Sequence, residues 1–534
     1  MNATSYDYVI IGSGFGGSVS ALRLAQKGYK VLVVEQGKWY RAEDFPRSNW
    51  QFSRWLWAPA LRWYGIMRIT IFRHVGIVSG TGVGGGSLVY ANTLPTPKPA
   101  FFKTGNWAHL ADWQQELEPF YPLALQMLGA AKNPRPADAD RVLEQIAEQI
   151  GKQQHFDATR VAVYFGEPGK TVPDPYFEGE GPDRKGCIFC GACMTGCRHN
   201  AKNTLDKNYL YLAQKAGAEI LAEHRVTDVR PAGAADGSEG YLVRFQSTTN
   251  WFARAQTVRA HGVVFSGGVL GTVKLLLQLR KKSLPRLSAR VGEFVRTNNE
   301  SLIAITSHNS RHNMAEGVAI GSILHTDENS HLEVCRYGKG SGAWRLTFLP
   351  YVEGSNFLIR LFKTFWETLR GLPEYARCVF VKDWAQSSAV LLFMQTLDST
   401  VRFSLDGLGG MKSAVSPGAP TPSAFIPEAS ALAARFGRIV GGKAFAFFLT
   451  PLAGIPGTAH ILGGAVMGAT PEEGVIDRNN RVFGYQNMLV CDGAMISANP
   501  GVNPALSITA IAERAMSTIP PRHELQLDTP ADSE

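Results

Sequence analysis

The stretch YDYVIIGSGFGGSVSALRLAQKGYKVLVVEQG spans residues 6–37 and decides the fold. Its apolar run at 8–11 predicts a buried strand, and the helical spacing of 18–26 predicts a helix that ends at Gly28. A second β-branched run at 31–34 predicts another strand. Strand, glycine turn, helix and strand together form one βαβ unit, which is typical of a parallel sheet covered by helices.

The glycines of this unit have separate tasks in a dinucleotide-binding turn. Gly12 permits a tight turn, Gly14 lets the backbone approach a pyrophosphate, and Gly17 lets the helix pack closely on the strand. Glu35, at the end of the second strand, is placed to bind ribose hydroxyls, and an acid there favours FAD or NAD over NADP. The alternative is a glycine-rich turn in another kind of α/β protein, which the complete strand, helix and acid context disfavours.

Two further glycine-rich stretches indicate a flat or phosphate-bearing ligand. GTGVGGGSLVYANT, residues 80–93, holds five glycines, which allow backbone to lie directly against such a ligand. GYQNMLVCDGAMISANPGVNPALSITAIAERAM, residues 484–516, predicts a short strand at 488–491, then Asp492, a loop, and a long helix from Pro504. The far end of the chain is therefore expected to return to the ligand.

Together these motifs resemble the glucose-methanol-choline (GMC) oxidoreductases, and within them the branch of bacterial cholesterol oxidases, from about residue 6 to residue 516. The resemblance implies a bound FAD and an α/β fold. It implies a Rossmann-like FAD-binding domain with an interleaved α+β substrate domain that carries an antiparallel sheet. We expect the FAD-binding domain to comprise 1–96, 200–300 and 455–520, the substrate domain 97–199 and 301–454, and a disordered tail 521–534.

Oxidation of an alcohol by hydride transfer needs a base for the hydroxyl proton, and histidine suits this task near neutral pH. TAHILGGAVMG, residues 458–468, supplies His460, and NPGVNPALS, residues 499–507, supplies Asn503 ahead of the last helix. From the residues alone, His460 could instead be a hydrogen-bonded core residue, and Asn503 an ordinary residue at the start of a helix. The resemblance implies that His460 is the family's active-site histidine, with Ile461 replacing the usual proline. His460 is then the base or substrate orienter, and Asn503 positions the hydroxyl and polarises flavin or substrate.

The same resemblance implies further cofactor contacts. The backbone of Val226 would hold the adenine, and Asp492 would contact the ribityl chain. Gly267 and Gly268 resemble the family's third approach to the cofactor. For each position the alternative is an ordinary turn residue. The residues expected to line the flavin are Gly85, Gly86, Ser87 and Asn92.

One departure from the family pattern concerns the product. Cholesterol oxidases use a glutamate of the substrate domain to move a double bond after oxidation. The matching stretch here, HLEVCRYGKGSGAW at residues 331–344, places Gly342 at that position, with Glu333 displaced upstream. We therefore expect oxidation to the ketone or aldehyde with poor isomerisation.

Four of the seven cysteines crowd into GCIFCGACMTGCRHN, residues 186–200. Their CxxCxxCxxxC spacing is that of bacterial ferredoxins, with Arg198 where a proline usually follows, and predicts an iron–sulfur cluster of the 4Fe–4S or 3Fe–4S type. Zinc and plain buried thiols are the alternatives, and a remote cysteine such as Cys335 could complete the set. A cluster beside a flavin would pass electrons to a protein or quinone acceptor. The predicted metal ligands are Cys187, Cys190, Cys193 and Cys197.

The formal charge of +9 does not indicate nucleic-acid binding, because the basic residues are scattered and the sequence has no zinc-finger spacing and no basic run. The sequence starts without a secretion signal, and its apolar runs are shorter than the roughly 20 residues of a membrane span. A cytoplasmic protein is therefore expected.

Two segments, 49–69 and 356–372, mix aromatic and basic residues. The second has Leu, Phe and Ile at helical spacing, with Arg360, Lys363 and Arg370 between them. Such a helix normally covers a core. The alternative is an interfacial helix at the inner membrane face, which would suit a substrate dissolved in lipid.

Three functions fit these observations. The first is an FAD enzyme that oxidises a hydrophobic alcohol, with a 3β-hydroxysteroid as the preferred substrate, by hydride transfer to flavin N5. The second is a dehydrogenase for long-chain or aromatic alcohols that passes electrons through the iron–sulfur cluster. The third, an electron-transfer flavoprotein, leaves His460 and Asn503 without a task.

Overall fold

The computed structural model of the chain describes residues 4–309 and 311–527. Its first sheet confirms the predicted βαβ unit as strand Ser5–Ile11, helix Phe15–Gln26 and strand Val31–Val34. Five strands run parallel, and two antiparallel strands extend one edge. In spatial order the strands are Glu219–Leu221, Val31–Val34, Ser5–Ile11, Gln256–Phe265, Tyr241–Ser247 and His224–Pro231, with Met488–Val490 also paired to Gln256–Phe265.

Helix Ala505–Ser517 returns the C-terminal part of the chain to this unit. It packs against helix Phe15–Gln26, and the Arg23 guanidinium donates to both oxygens of Glu513 at 2.7 and 2.8 Å. The Tyr209 hydroxyl donates to the same carboxylate at 2.7 Å. Because these contacts are buried or partly buried, they hold the two ends of the chain together.

The second sheet has seven antiparallel strands. Helices Asp138–Gln149 and Pro427–Val440 cover one face, where Leu332 and its neighbours form a separate core. Alternate residues of a strand point to opposite faces, so Leu302 and Leu392 face away from these helices and line a cavity. In spatial order the strands are Phe348–Pro350, Lys443–Phe447, Ser301–Thr306, Ser388–Gln395, Ser330–Cys335, Ile320–His325 and Phe156–Ala158.

Smaller elements connect the two sheets. Short paired strands are Met67–Ile71 with Gly76–Gly80 and Gly457–Thr458, Val295–Arg296 with Thr400–Leu405 and Met411–Val415, Trp57–Ala58 with Trp63–Tyr64, Ala131–Lys132 with Arg160–Val161, and Thr171–Val172 with Arg184–Lys185. Further α-helices are Phe52–Trp55, Pro99–Lys103, Trp113–Leu117, Phe120–Met127, Tyr209–Lys215, Gly268–Arg280, Phe357–Arg370, Leu372–Val379 and Trp384–Ser387. Within the tail predicted to be disordered, Arg522–Leu527 forms a short helix, and residues 528–534 lie outside the described residues.

This arrangement confirms the predicted fold class, an α/β protein with a Rossmann-like domain and an interleaved domain that carries an antiparallel sheet. The first sheet draws its strands from residues 5–34, 219–265 and 488–490. The second draws its strands from 156–158 and 301–447. We therefore propose the division into two domains that the sequence predicts.

The two aromatic segments have opposite surroundings. In residues 49–69, Trp55 and Trp57 are buried, and Trp55 packs in a small apolar cluster. In residues 356–372, the large apolar side chains face outward, so the expectation that this helix covers a core is wrong. Among the described residues, every helix is too short or too polar to cross a bilayer.

Candidate active site

A cavity of about 390 Å³ lies between the two sheets. Glycine turns beside the first sheet form one side, and apolar side chains of the second sheet form the other. Residues from both ends of the chain therefore meet here. The sequence-predicted residues that line the cavity are Gly14, Gly86, Gly267, Gly268, His460, Asp492 and Asn503.

The first glycine turn is tight on one side and open on the other. Gly12 has a φ of +103°, and a Cβ atom there would lie 2.3 Å from the Ser266 carbonyl oxygen. A Cβ at Gly17 would lie 2.1 Å from the Gly12 carbonyl oxygen. A Cβ at Gly14 would meet no atom of the described residues within 4 Å. Gly12 and Gly17 are thus required by packing, whereas Gly14 leaves space for a ligand at the start of helix Phe15–Gln26.

His460 is held by a buried carboxylate that the sequence analysis missed. Its Nδ1 lies 2.5 Å from Glu300 Oε1, and Glu300 Oε2 accepts the Ala459 backbone N–H at 3.1 Å. The His460 backbone N–H donates to Thr458 Oγ1 at 2.8 Å. Both the backbone and the ring of His460 are therefore fixed, and Nε2 is the ring atom left for a substrate hydroxyl.

This ion pair also sets the basicity of His460. Burial by itself would lower the pKa of His460, but the charge of Glu300, its hydrogen bond and the more distant Glu333 raise that pKa above the usual value. A carboxylate that accepts from Nδ1 also selects the tautomer with a free lone pair on Nε2. The arrangement is suited to removing a proton from an alcohol.

A second buried acid, Glu333, lies beside this pair. Burial raises the pKa of Glu333 to about 8, although the Asn503 amide and His460 favour its charged form. Asn503 lines the cavity, and its Oδ1 has no hydrogen-bond partner within residues 4–309 and 311–527. A buried acceptor without a partner costs free energy unless a ligand satisfies it. Asn503 is therefore placed to contact a bound molecule.

Gly342 and Glu333, the two positions considered for the substrate-domain acid, have different surroundings. A Cβ at Gly342 would meet the Arg345 and Trp384 side chains, and Gly342 does not line the cavity. Glu333 lies within strand Ser330–Cys335, on the same face as Cys335, which lines the cavity, and opposite to Leu332 and Val334, although Glu333 itself is not among the lining residues. Whether an acid acts on the substrate from this strand therefore remains a prediction. The sequence signal for Glu333 is an acid between Leu332 and Val334 within a strand.

The chain is similar in sequence to known proteins over nearly its whole length. A cholesterol oxidase of Acinetobacter baumannii is 43% identical over 98% of this chain and 96% of its own length. The chain belongs to the GMC oxidoreductase family. A cholesterol oxidase of Mycobacterium tuberculosis is 44% identical, over 97% of this chain and 92% of its own length. Residues 451–512 match the GMC oxidoreductase model, and residues 7–320 match that of FAD-dependent oxidoreductases.

A solved structure also shares the fold. Pyridoxine 4-oxidase from Mesorbium loti superposes with a TM-score of 0.60 over 97% of this chain and 99% of that one, at 14% identity. Identity this low supports the fold alone. As a GMC oxidoreductase, the chain is an FAD-dependent enzyme that acts on CH–OH groups.

The cavity fits the FAD that this family uses. Gly14 opens toward the N-terminus of a 12-residue helix, whose free N–H groups suit a pyrophosphate. Asp492 lines the cavity, Thr272 Oγ1 donates to it at 2.5 Å, and burial raises its pKa to about 6. We propose Gly14 for the pyrophosphate, Asp492 for the ribityl chain, and Gly86, Gly267 and Gly268 as backbone lining the cofactor.

Glu35 directly follows strand Val31–Val34 and is buried. Its Oε2 accepts the Ser13 backbone N–H at 3.1 Å and the Ser13 hydroxyl at 2.8 Å, while its Oε1 accepts the Gly37 N–H at 2.8 Å. Burial raises the pKa of Glu35. The adjacent Gln36 lines the cavity. We propose Glu35 for the ribose, and these internal donors fix the position of its carboxylate.

Besides Glu35, four predicted cofactor contacts are not among the residues that line the cavity. The Ser87 hydroxyl donates to the Gly84 carbonyl oxygen at 2.7 Å and accepts the Leu205 N–H at 3.1 Å, so it fixes its own loop. Gly85 packs on Gly14, where a Cβ would lie 2.7 Å from the Gly14 Cα. For Asn92, the flanking residues line the cavity instead. The fourth, Val226, is buried within strand His224–Pro231.

The four clustered cysteines do not support the predicted iron–sulfur cluster. Among residues 4–309 and 311–527, no group of three or more His, Cys, Asp or Glu side chains is arranged to hold a metal ion. The cavity that the cysteines line measures about 20 Å³, which is room for about one water molecule. Burial raises the pKa of Cys187 to about 12 and of Cys190 to about 11, so these free thiols stay protonated. The predicted protein or quinone acceptor, which depended on a cluster, loses its support.

Substitution of Gly14 tests the cofactor site without disturbing the fold. Because Gly14 has φ −70° and free space at its Cβ position, we expect Gly14→Ala to keep the unfolding temperature of the FAD-free protein. An Ala methyl at the pyrophosphate should weaken FAD binding about tenfold or more, which corresponds to about 1.4 kcal/mol. Fluorescence titration with FAD measures this. The matched variant Gly16→Ala should instead unfold at lower temperature, because its Cβ would lie 1.7 Å from the Cys491 oxygen.

Removing the Glu300 charge should change how activity depends on pH. The base form of His460 is neutral, so activity rises with pH through the His460 pKa, which Glu300 raises. In Glu300→Gln we expect that acid limb of kcat/KM to move to lower pH, together with a lower maximal rate. Rate profiles between pH 5 and 9 measure this, with exposed Glu472→Gln as the control. An acid limb that stays in place would show that Glu300 does not act through His460.

Proposed function

We propose that this GMC oxidoreductase oxidises the 3-hydroxyl of a 3β-hydroxysteroid to the ketone. The observation that carries the proposal is that one cavity brings His460 and Asn503 together with apolar side chains of the second sheet, among them Leu302, Val390 and Leu392. A rigid hydrocarbon with one hydroxyl matches this division of polarity. The names of the two relatives at 43% and 44% identity support the same substrate class.

His460 removes the hydroxyl proton in this proposal. Its Nδ1 stays bound to Glu300, so its Nε2 faces the alcohol and takes the proton. Glu300 then stabilises the resulting imidazolium. When bound, FAD supplies the acceptor for the hydride that leaves the same carbon. The removal of proton and hydride from one alcohol gives the ketone.

Asn503 and the apolar wall orient the alcohol for this step. The unpaired Oδ1 of Asn503 accepts a hydrogen bond from the bound molecule, and the Asn503 amide lies beside Glu333. Leu302, Val390 and Leu392 of the second sheet form the apolar wall of the cavity. Such a wall excludes water from the reacting carbon and leaves the hydroxyl as the polar group to be bound.

The expected poor isomerisation can arise from the protonation of Glu333 instead of from the absence of an acid at Gly342. A carboxylate is needed to carry a proton between two carbons of the steroid, and Glu333, with a pKa of about 8, is mostly protonated at pH 7. We therefore propose that the oxidised steroid leaves largely unisomerised at neutral pH because its base is protonated, not because the base is missing.

An anaerobic bleaching screen tests the substrate. The FAD-loaded protein is mixed without oxygen with 3β-hydroxysteroids, long-chain primary alcohols and aryl alcohols, and flavin absorbance is followed. We expect the 3β-hydroxysteroids to bleach the flavin, and the 3α epimers to bleach it much more slowly. Rapid bleaching by long-chain or aryl alcohols alone would overturn the proposal in favour of those substrates.

The pH dependence of the product tests Glu333. With a 3β-hydroxy-5-ene steroid, the share of conjugated enone should rise with pH through about 8, as Glu333 loses its proton. Glu333→Gln should still bleach the flavin but form at least tenfold less conjugated enone, a loss typical for a missing proton carrier. Ultraviolet absorbance of the enone measures this. An enone share that is independent of pH and unchanged in Glu333→Gln would assign isomerisation elsewhere.

A further inference from the structure

Helix Phe357–Arg370 carries its apolar side chains on the outside of the protein. Leu358, Phe362 and Phe365 are 72%, 65% and 62% exposed, whereas Arg360 and Thr364 are buried. This is the reverse of a helix that covers a core. We call the exposed stripe the apolar face: Leu358, Leu361, Phe362, Phe365, Trp366 and Leu369, which recur at helical spacing.

Polar contacts on the inner side fix this orientation. The Arg360 guanidinium donates to the Gly354 carbonyl oxygen at 2.9 Å and to the Leu452 carbonyl oxygen at 3.3 Å. Asn356 caps the helix by accepting the Ile359 N–H at 3.0 Å. Lys363 donates to the Glu353 carbonyl oxygen at 2.9 Å. A rotation that buried the apolar face would break these bonds, so the sequence of the helix specifies an outward apolar face.

An apolar face of this kind on a protein surface marks an interaction site. Residues 357–382 contain five basic residues and two acidic ones, and the whole chain carries a formal charge of +9. A Trp and several Phe and Leu side chains beside exposed cations are the composition of helices that lie in a lipid interface. Two copies of the chain pairing through this face would instead bring their like charges together. The face therefore fits an anionic bilayer better than a second copy.

We propose that helix Phe357–Arg370 lies in the surface of an anionic lipid bilayer, with its apolar face among the acyl chains. Exposed Arg370 then meets lipid phosphates, and the attraction should weaken as salt screens it. Binding of this kind keeps the helix parallel to the membrane plane. It requires no membrane-spanning segment.

Helix Phe357–Arg370 lies next to one wall of the catalytic cavity. The helix packs against strand Phe348–Pro350, and Phe348 lines the catalytic cavity. Leu346, two residues earlier, is also apolar and 67% exposed. A docked enzyme would therefore hold one wall of its cavity against the bilayer, where sterols dissolve. Delivery of a sterol rests on the proposed function, but binding to the bilayer does not.

Vesicle sedimentation of the full FAD-loaded chain tests docking. Vesicles of phosphatidylcholine with and without phosphatidylglycerol are compared at low and high salt. We expect binding to the anionic vesicles that weakens with salt, and at least tenfold weaker binding for the double variant Phe362→Ser, Trp366→Ser. The matched control Phe252→Ser, Leu408→Ser removes two apolar side chains that are 96% and 99% exposed on other loops, and it should bind like the parent.

The outcomes separate docking from catalysis. Sterol oxidation in vesicles should fall in the Phe362 and Trp366 variant, while oxidation of sterol dispersed in cyclodextrin should not change. Vesicle binding that is absent in the parent, or equal in the variant, overturns the proposal. A parent dimer that the variant converts to a monomer, without a change in vesicle binding, would assign the face to a second copy. Vesicle binding without flavin bleaching by sterols would uphold docking and refute the proposed function.

Discussion

Gly16 brings the first turn of helix Phe15–Gln26 against the end of strand Met488–Val490, so closely that a Cβ would lie 1.7 Å from the Cys491 carbonyl oxygen. This approach lets residues from the two ends of the chain share one cavity. Asp492 follows directly, and Asn503 opens the helix that packs back on Phe15–Gln26. A side chain larger than hydrogen at Gly16 would separate the glycine turn from the residues proposed to act on the substrate.

The second sheet completes the site from the other side. Glu300 stands immediately before strand Ser301–Thr306 and holds His460, while Glu333 lies within strand Ser330–Cys335 of the same sheet. One sheet thus supplies both acids and the apolar wall. The two acids differ in their contacts, because Glu300 pairs directly with the His460 ring whereas burial dominates at Glu333 and raises its pKa to about 8. Different environments give two carboxyl groups different tasks.

The sequence predicted the glycine turn of this site from local pattern. Gly12, Gly14 and Gly17 are recognisable because strand, turn and helix are contiguous, whereas His460 and Asn503 were predicted only through the resemblance to the family. Glu300 escaped detection because its contact with His460 joins residues 160 positions apart. The buried position of Glu333 beside Asn503 and His460 was also outside the reach of the sequence, since strand registers are set by pairing across the sheet and not by local spacing.

Two other patterns show the limits of spacing alone. The CxxCxxCxxxC run has the intervals of a cluster-binding loop, yet the structure leaves a space of about 20 Å³ among its thiols, and it supports no function for them. The apolar stripe of helix Phe357–Arg370 was visible in the sequence, but periodicity does not tell which face of a helix meets the protein. The burial of Arg360 shows which face of this helix meets the protein.

The most direct test of the central claim is a crystal structure of the FAD-loaded protein with a 3β-hydroxysteroid. We expect the steroid 3-oxygen to lie within hydrogen-bond distance of His460 Nε2 while His460 Nδ1 remains bonded to Glu300. A bound steroid whose hydroxyl points away from His460 would contradict the proposed role of His460.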